Sequence, residues 1–284
     1  MAWLLRDLQG NYANHLYDLQ GNEIFKAYDI NGNEYVNGDL KTYNFMTYNV
    51  QNWTEYNANT PVIEAMFRRH NPIIVGLQEC NSPSTYVPNL FAASYKSTGI
   101  GNPIMLFANV EISDYETILY ADNQGERRGY QKFKVTLDGK EITVFNTHVE
   151  LETNPSHIPQ LQELLVEFAK CDSFIAMGDF NIVSTSNSHW QEERDYFVEP
   201  LIQAGYNTAN WVPIQTGDVN TWFNGSTIAD STRKAPCDSI ITSPDLRILD
   251  VVFDDSKIIS GQGTVVDHIP VIATIGFYVE EAST

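Results

Sequence analysis

Basic residues are scarce in this sequence: 17 Lys and Arg stand against 36 Asp and Glu among 284 residues, a formal net charge of −19. Such an imbalance creates no global field that attracts phosphate backbones, which weighs against nucleic-acid binding by bulk charge. It leaves room for a local site in which carboxylates hold a cation, because a bound divalent ion inverts the potential around it. Cysteine is also rare. Cys80, Cys171 and Cys237 are odd in number and lack CxxC spacing, so they indicate neither a disulfide framework nor a zinc site. Long apolar runs are missing too. No segment approaches the ~18 uninterrupted apolar residues of a membrane span, and Met1 to Asp7 holds no apolar stretch of signal-peptide length. The expectation is a soluble chain without a transmembrane segment, with the cytoplasm as its default location. The sequons at Asn52 and Asn224 carry little weight without a secretory route.

What is present is ample apolar material, 43% hydrophobic and 12% aromatic, enough for one large core. The first forty residues repeat a short unit at Asp7–Tyr12, Asp18–Ile24 and Asp29–Tyr35, with a period of 11 residues. Asn31-Gly32 is a strong turn signal, and the repeats read as successive small hairpins too slight to enclose a core. Residues 1–41 are therefore set apart as a β-hairpin segment, suited to a protein partner or assembly contact, from a catalytic domain over 42–284. In that domain strands are expected at 43–49, 73–78, 103–107, 130–137, 142–147, 174–177, 238–242 and 271–278. Thr60-Pro61 opens a helix running to His70. Leu161, Leu164, Leu165 and Phe168 mark a second, amphipathic helix, and a third runs from about Trp190 to Gly205 with a kink near Pro200. Strands outnumber helices, which favours an α+β or layered sandwich over a barrel of alternating units.

Polar residues gather where these apolar runs end. Asn49, Glu79 and His148 each close a strand, Asp179 and Asn181 close another, Asp238 opens one, and Asp267-His268 precedes the last. Carboxylates, carboxamides and imidazoles at strand ends can converge on one rim of a sheet, offering hard oxygen ligands for magnesium or manganese and groups that handle protons. In Gly178-Asp179-Phe180-Asn181 the two polar residues are two apart, so an extended chain points both to one side and Phe180 into the core.

At these positions the sequence resembles the DNase I-like endonuclease/exonuclease/phosphatase superfamily, across roughly residues 42 to 279. The resemblance rests on Leu77-Gln78-Glu79, Asn146-Thr147-His148, Gly178-Asp179-Phe180-Asn181 and Asp267-His268-Ile269-Pro270-Val271, in order, with Asn49 and Asp238 in register. It implies a four-layer α/β/β/α sandwich, two mainly antiparallel sheets flanked by helices, with the site at one edge. It also implies roles: Glu79 as principal metal ligand with Asn49 and Asp267 completing the environment of Mg2+ (Mn2+ or Ca2+ being the other options), Asp179 orienting or deprotonating the attacking water, and Asn181 holding water and phosphate. His148, and His268 paired with Asp238, would contact the scissile phosphate. Thr221, in a loop like a phosphate-contact loop of the family, and Arg128 are weaker phosphate candidates; an exposed Arg is ordinarily solvated surface. Two departures, Val266 before the final Asp-His pair and His157 or Pro159 where relatives carry Arg, bear on support of the site.

The implied activity is metal-dependent hydrolysis of phosphodiesters, with a DNase I-like nuclease as the leading reading. Rival readings are a phosphomonoesterase or lipid-head-group phosphodiesterase of the inositol phosphatase or sphingomyelinase type, and a non-catalytic structural or interaction protein using the fold. A substrate is not named by fold and metal site.

Overall fold

The computed structural model describes residues 27–28, 34–35, 39–51, 56–80, 90–183, 188–211, 219–224, 233–255 and 267–279. Of the amino-terminal repeats only the third reaches them, where β1 (Ala27–Tyr28) pairs antiparallel with β2 (Glu34–Tyr35); the other two lie outside the described residues. The large unit, Thr42–Gly276, contains two six-stranded sheets. One runs in the order β15 (Arg247–Phe253), β16 (Val271–Val279), β3 (Asp39–Asn49), β4 (Ile74–Gln78), β6 (Met105–Ala108), β5 (Ala93–Lys96). The other runs β11 (Asn207–Thr208), β14 (Asp238–Thr242), β10 (Phe174–Asp179), β9 (Lys140–His148), β8 (Gly129–Leu137), β7 (Ile112–Leu119). Most pairings are antiparallel, but β3 with β4 and β9 with β10 are parallel. A short ribbon, β12 (Trp222–Asn224) with β13 (Arg233–Ala235), stands apart from both.

Each sheet buries its outer face under helix. On the first, Ile63, Met66 and Phe67 of α1 (Tyr56–His70) pack with Met46, Tyr48, Val75 and Leu77. On the second, Leu161, Leu164 and Phe168 of α2 (His157–Phe168) join Phe145, Phe174, Ala176 and Ile241. Phe197, Val198 and Leu201 come from a helical run of α3 (Trp190–Glu193), a π-helical turn Arg194–Val198, and α4 (Glu199–Gln203). The four-layer sandwich is thus present. The expected kink at Pro200 takes the form of that π turn, in which Glu199 N–H reaches back to Arg194 O. The first helix begins at Tyr56 rather than Thr60; Pro61 lies inside it, at the cost of one helical hydrogen bond.

Strand alternation decides what lies between the sheets. Met46 and Tyr48 face α1, so Thr47 and Asn49 face inward; Phe145 faces α2, so Asn146 and His148 face inward. Gly76 permits the closest approach, since a Cβ there would lie 2.5 Å from Asn146 Oδ1. A buried chain of amides spans the gap: Thr47 Oγ1 donates to Gln78 Oε1 at 3.3 Å, Gln78 Nε2 to Asn146 Oδ1 at 2.8 Å, and Asn146 Nδ2 to Gln131 Oε1 at 2.8 Å and Met105 O at 3.0 Å. An unpaired amide here would cost about 1–3 kcal/mol, so the network fixes the register of one sheet on the other. One step further along each strand, two residues on and facing the same way, stand Asn49, His148 and Asp179.

Candidate active site

In the second sheet the register places Gly129 opposite His148, His148 opposite Asp179 and Asp179 opposite Asp238, so four strands end in a single row. The row is tight: a Cβ on Gly178 would lie 2.3 Å from Thr147 O. In the first sheet Asn49 pairs with Gln78, and the next residue, Glu79, has φ 53°. A non-glycine residue in this left-handed region is strained, and the turn carries Glu79 out of the sheet toward the row. Asn181 has φ 51°, which corrects the expectation of an extended Asp-Phe-Asn strand. The chain turns back there, and Asn181 N–H donates to Asp179 Oδ1 at 2.9 Å. Phe180 does enter the core, 5.0 Å from the Trp211 ring and 5.8 Å from that of Phe197.

Asp179 Oδ2 is the point of convergence. Asn49 Nδ2 donates to it at 2.9 Å, while His148 Nε2 and His268 Nε2 lie 3.5 and 3.7 Å away. Asn49 Nδ2 also approaches Glu79 Oε1 at 3.5 Å, and Asn49 Oδ1 accepts Gln51 N–H. His268 Nδ1 donates to Asp238 Oδ2 at 2.8 Å. Asp238 is fully buried and its other carboxylate oxygen, Oδ1, has no hydrogen-bond partner among the described residues.

The two histidines are driven to opposite charge states. Burial opposes protonation of His268, but Asp238 and Asp179 outweigh it and push its pKa up to about 10. His148 is held well below the usual histidine range by burial and then by Arg128 and His268, so it is a neutral imidazole. Arg128 Nη1 lies against both ring nitrogens of His148, 2.6 Å from Nδ1 and 3.0 Å from Nε2; an Arg can only donate, so it favours the uncharged ring, whose unprotonated nitrogen accepts. Burial, and then Asp179, raise Glu79, and burial and Asp238 raise Asp179. These carboxylates are crowded and under-neutralised.

Arg128 corrects the expectation of solvated surface. It is buried, with Glu126 Oε2 at 3.1 Å from Nη2 and an Nε that has no hydrogen-bond partner among the described residues, the Glu150 carboxylate lying 4.0 Å away. Thr221 is also buried; its hydroxyl accepts Asp238 N–H at 2.9 Å, and its carbonyl accepts Ile269 N–H, so it braces both members of the Asp238–His268 pair. Asp267, partly exposed, accepts Trp222 Nε1 at 3.0 Å and lies 4.0 Å from His268 Nε2. Asn181 commits an amide proton to Val149 O. His157, one of the positions where relatives carry Arg, bridges Glu150 O and Glu193 Oε1 at 2.7 and 3.1 Å, and Glu193 also accepts Val183 N–H. This brace joins the segments that follow His148 and Asn181. Nothing in local sequence could reveal it, because its members come from separate helices. Val266 lies outside the described residues.

For a cation the sequence pointed to Asn49, Glu79 and Asp267, whereas the tight ligand group among the described residues is Asp179, Asp238 and His268, whose candidate atoms all lie within 4.8 Å of one another. That group could hold a divalent ion only with a deprotonated His268, against its ion pair with Asp238. The oxygen side, Glu79 with the Asn49 amide beside Asp179, fits a hard cation better, since burial and the neighbouring carboxylates hold Glu79 and Asp179 above their ordinary range.

Solved structures with this architecture share it over most of their length. An endonuclease/exonuclease/phosphatase from Beutenbergia cavernae DSM 12333 has a TM-score of 0.66 at 13% identity, covering 84% of this chain and 72% of its own. TDP2 from D. rerio, complexed with a single-strand DNA product, has a TM-score of 0.65 at 16% identity over 83% and 99%. The chain has the DNase I-like fold. A 3'-5' exonuclease from Neisseria meningitidis matches at 0.60 and 19% identity, over 81% of this chain and 98% of its own. No protein-family model and no curated protein matches the sequence. The endonuclease/exonuclease/phosphatase likeness, visible in four short motifs, is thus carried by three-dimensional structure. No helix among the described residues is long and apolar enough to cross a membrane.

Proposed function

We propose that this DNase I-like chain is a metal-dependent phosphodiesterase acting on nucleic acid, with its reaction centred on Asp179. The observation that carries the reading is the convergence of Asn49, His148 and His268 on Asp179 Oδ2 at the rim where Glu79 emerges. A carboxylate with a raised pKa is a better base near neutrality, and Asp179 takes the proton of the attacking water as the new P–O bond forms. Its position is set by the Asn49 amide and by Asn181 N–H. The imidazolium of His268, the neutral ring of His148 and the guanidinium of Arg128 face the non-bridging oxygens, where charge grows as the reaction proceeds. Asn181 holds the water and phosphate with its remaining amide capacity. The leaving oxygen departs as the old P–O bond breaks and takes a proton from solvent. Glu79, Asn49 and Asp267 would hold Mg2+ or Mn2+, which supplies charge screening of the phosphate and a lowered pKa for water.

Nucleic acid is preferred over lipid or inositol phosphates because a neighbour of the same fold, TDP2 from D. rerio, is complexed with single-strand DNA product. Screening the purified chain with Mg2+ against plasmid DNA, single-stranded DNA, RNA, inositol phosphates and sphingomyelin tests this. Nucleic-acid cleavage, reduced by roughly 10²–10⁴-fold in Asp179→Ala and His268→Ala, is the expected result. Turnover of lipid or inositol phosphates with inert nucleic acid would displace the nuclease reading, and inertness on every phosphoester would leave the non-catalytic one.

A further inference from the structure

The segment between β7 and β8 ends in adjacent cations, Arg127 and Arg128, whose side chains part company. Arg128 turns inward onto His148, while Arg127 is exposed. The segment is firmly tied down: Gln124 N–H donates to Ser156 Oγ, Glu126 N–H to Glu150 Oε2 and Arg128 N–H to Asn123 Oδ1, at 2.7, 2.9 and 2.9 Å. Arg127 O accepts Gly101 N–H at 2.7 Å, so its backbone is fixed to the turn between β5 and β6 on the other sheet. The approach is close: a Cβ on Gly101 would lie 3.3 Å from Arg127 N, and one on Gly99 would be in ordinary contact, 3.9 Å from Arg127 Nη2. The same turn meets the residue after Glu79, through Cys80 N–H and Pro103 O at 2.9 Å. Arg127 therefore stands on the lip joining the Glu79 and His148 sides of the site.

An exposed Arg is ordinarily solvated and idle, so its surroundings decide the matter. Lys132, Lys134, Lys140 and Arg194 all lie within 3 Å of a carboxylate. The Arg127 guanidinium has no ion pair among the described residues. On a chain of net charge −19, a cation left over on this lip offers an arriving polyanion an anchor that no internal carboxylate competes for.

We propose that Arg127 binds the phosphate adjacent to the scissile one, so that the substrate is a strand of successive phosphodiesters, a nucleic acid, rather than an isolated phosphoester. This deepens the phosphodiesterase reading and rests on it. Arg128 serves the reacting phosphate and Arg127 its neighbour.

The test compares wild type, Arg127→Ala and Arg127→Lys on two substrates with Mg2+ or Mn2+: bis(p-nitrophenyl) phosphate, which has a single phosphate, and a single-stranded oligodeoxynucleotide. In Arg127→Ala, kcat/KM on the oligonucleotide should fall about fivefold through KM, and its log–log dependence on salt should flatten by about 0.7. Turnover of the small diester should stay within about twofold of wild type, as expected for an exposed position, and Arg127→Lys should recover part of the loss. An equal loss on both substrates, or an unchanged oligonucleotide KM and salt slope, would overturn the assignment. Wild type that cleaves the small diester and ignores the oligonucleotide would sink this inference while leaving the phosphodiesterase intact. Wild type inert on both would sink the two together.

Discussion

At His268 burial and charge pull in opposite directions, and the outcome sets what the residue can do. Burial alone would leave a neutral ring; Asp238 and Asp179 make it a cation, with a pKa near 10. A folded-state pKa above the unfolded value of about 6.5 contributes stability that is fully present below about pH 6.5 and is lost as pH rises through about 10. Asp238→Asn removes the strongest raising interaction. In the metal-free protein the His268 imidazole should then titrate at lower pH by NMR, and stability near pH 6 should fall by about 3–5 kcal/mol, the cost of breaking a buried pair. An unchanged titration would mean that Asp238 does not hold the charge. Residues of this kind were legible as chemistry, since a His or Asp where an apolar run stops is conspicuous. The charge on His268 follows from its pairing with Asp238, whereas the neutral state of His148 was not legible, because Arg128 reaches it from the neighbouring strand. Arg128 was only a weaker phosphate candidate, since nothing in Arg127-Arg128-Gly129 tells which Arg turns inward.

The unit that builds the site is the strand end. β9, β10 and β14 stop in one row, and the parallel contact of β9 with β10 is close enough that Gly178 meets Thr147 O and Thr147 Cγ2. Gly178→Ala should push these strands apart and move His148 relative to Asp179, costing about 1–3 kcal/mol and lowering kcat with it. Gly139→Ala is the control: a Cβ there meets nothing within 4 Å, and only its φ of 85° is strained, so stability should drop modestly and kcat should hold. Thermal denaturation and single-turnover rates separate the two; equal effects on kcat would mean strand spacing does not set the site. The central strands were readable because both faces are buried, as along β4, β6 and β10. Strands β5, β7 and β15 went unread because they lie at sheet edges and are half exposed, so their polar residues break the apolar signal. The Gln of Leu-Gln-Glu and the Asn of Asn-Thr-His were read as motif letters; their work is to join the two sheets.

For the molecule as a whole, the imbalance of 36 acidic against 17 basic residues means that folding and cation binding should be coupled. Removing residues 1–38 leaves β3 entire, and if the repeats are a separate segment the truncated chain should unfold cooperatively and keep its kcat. Loss of folding would show that the large unit depends on them. The coupling to cations has a sharper signature. Burial first, and then repulsion by neighbouring carboxylates, raise Glu79 and Asp179 in the folded chain but not in the unfolded one, so a divalent ion at the rim should offset both. At a hundredfold excess over its Kd such an ion adds about 2.7 kcal/mol, which for a domain of this size raises Tm by roughly 5–10 °C. NaCl at matched ionic strength should give much less, since it screens only exposed charge. Glu79→Gln should lose most of the Mg2+ or Mn2+ shift while its metal-free Tm stays equal or rises, because the substitution removes one of the repelling carboxylates. An undiminished shift in that variant would move the cation away from Glu79 and toward the Asp179–Asp238 pair, and would require His268 to give up its proton when metal binds.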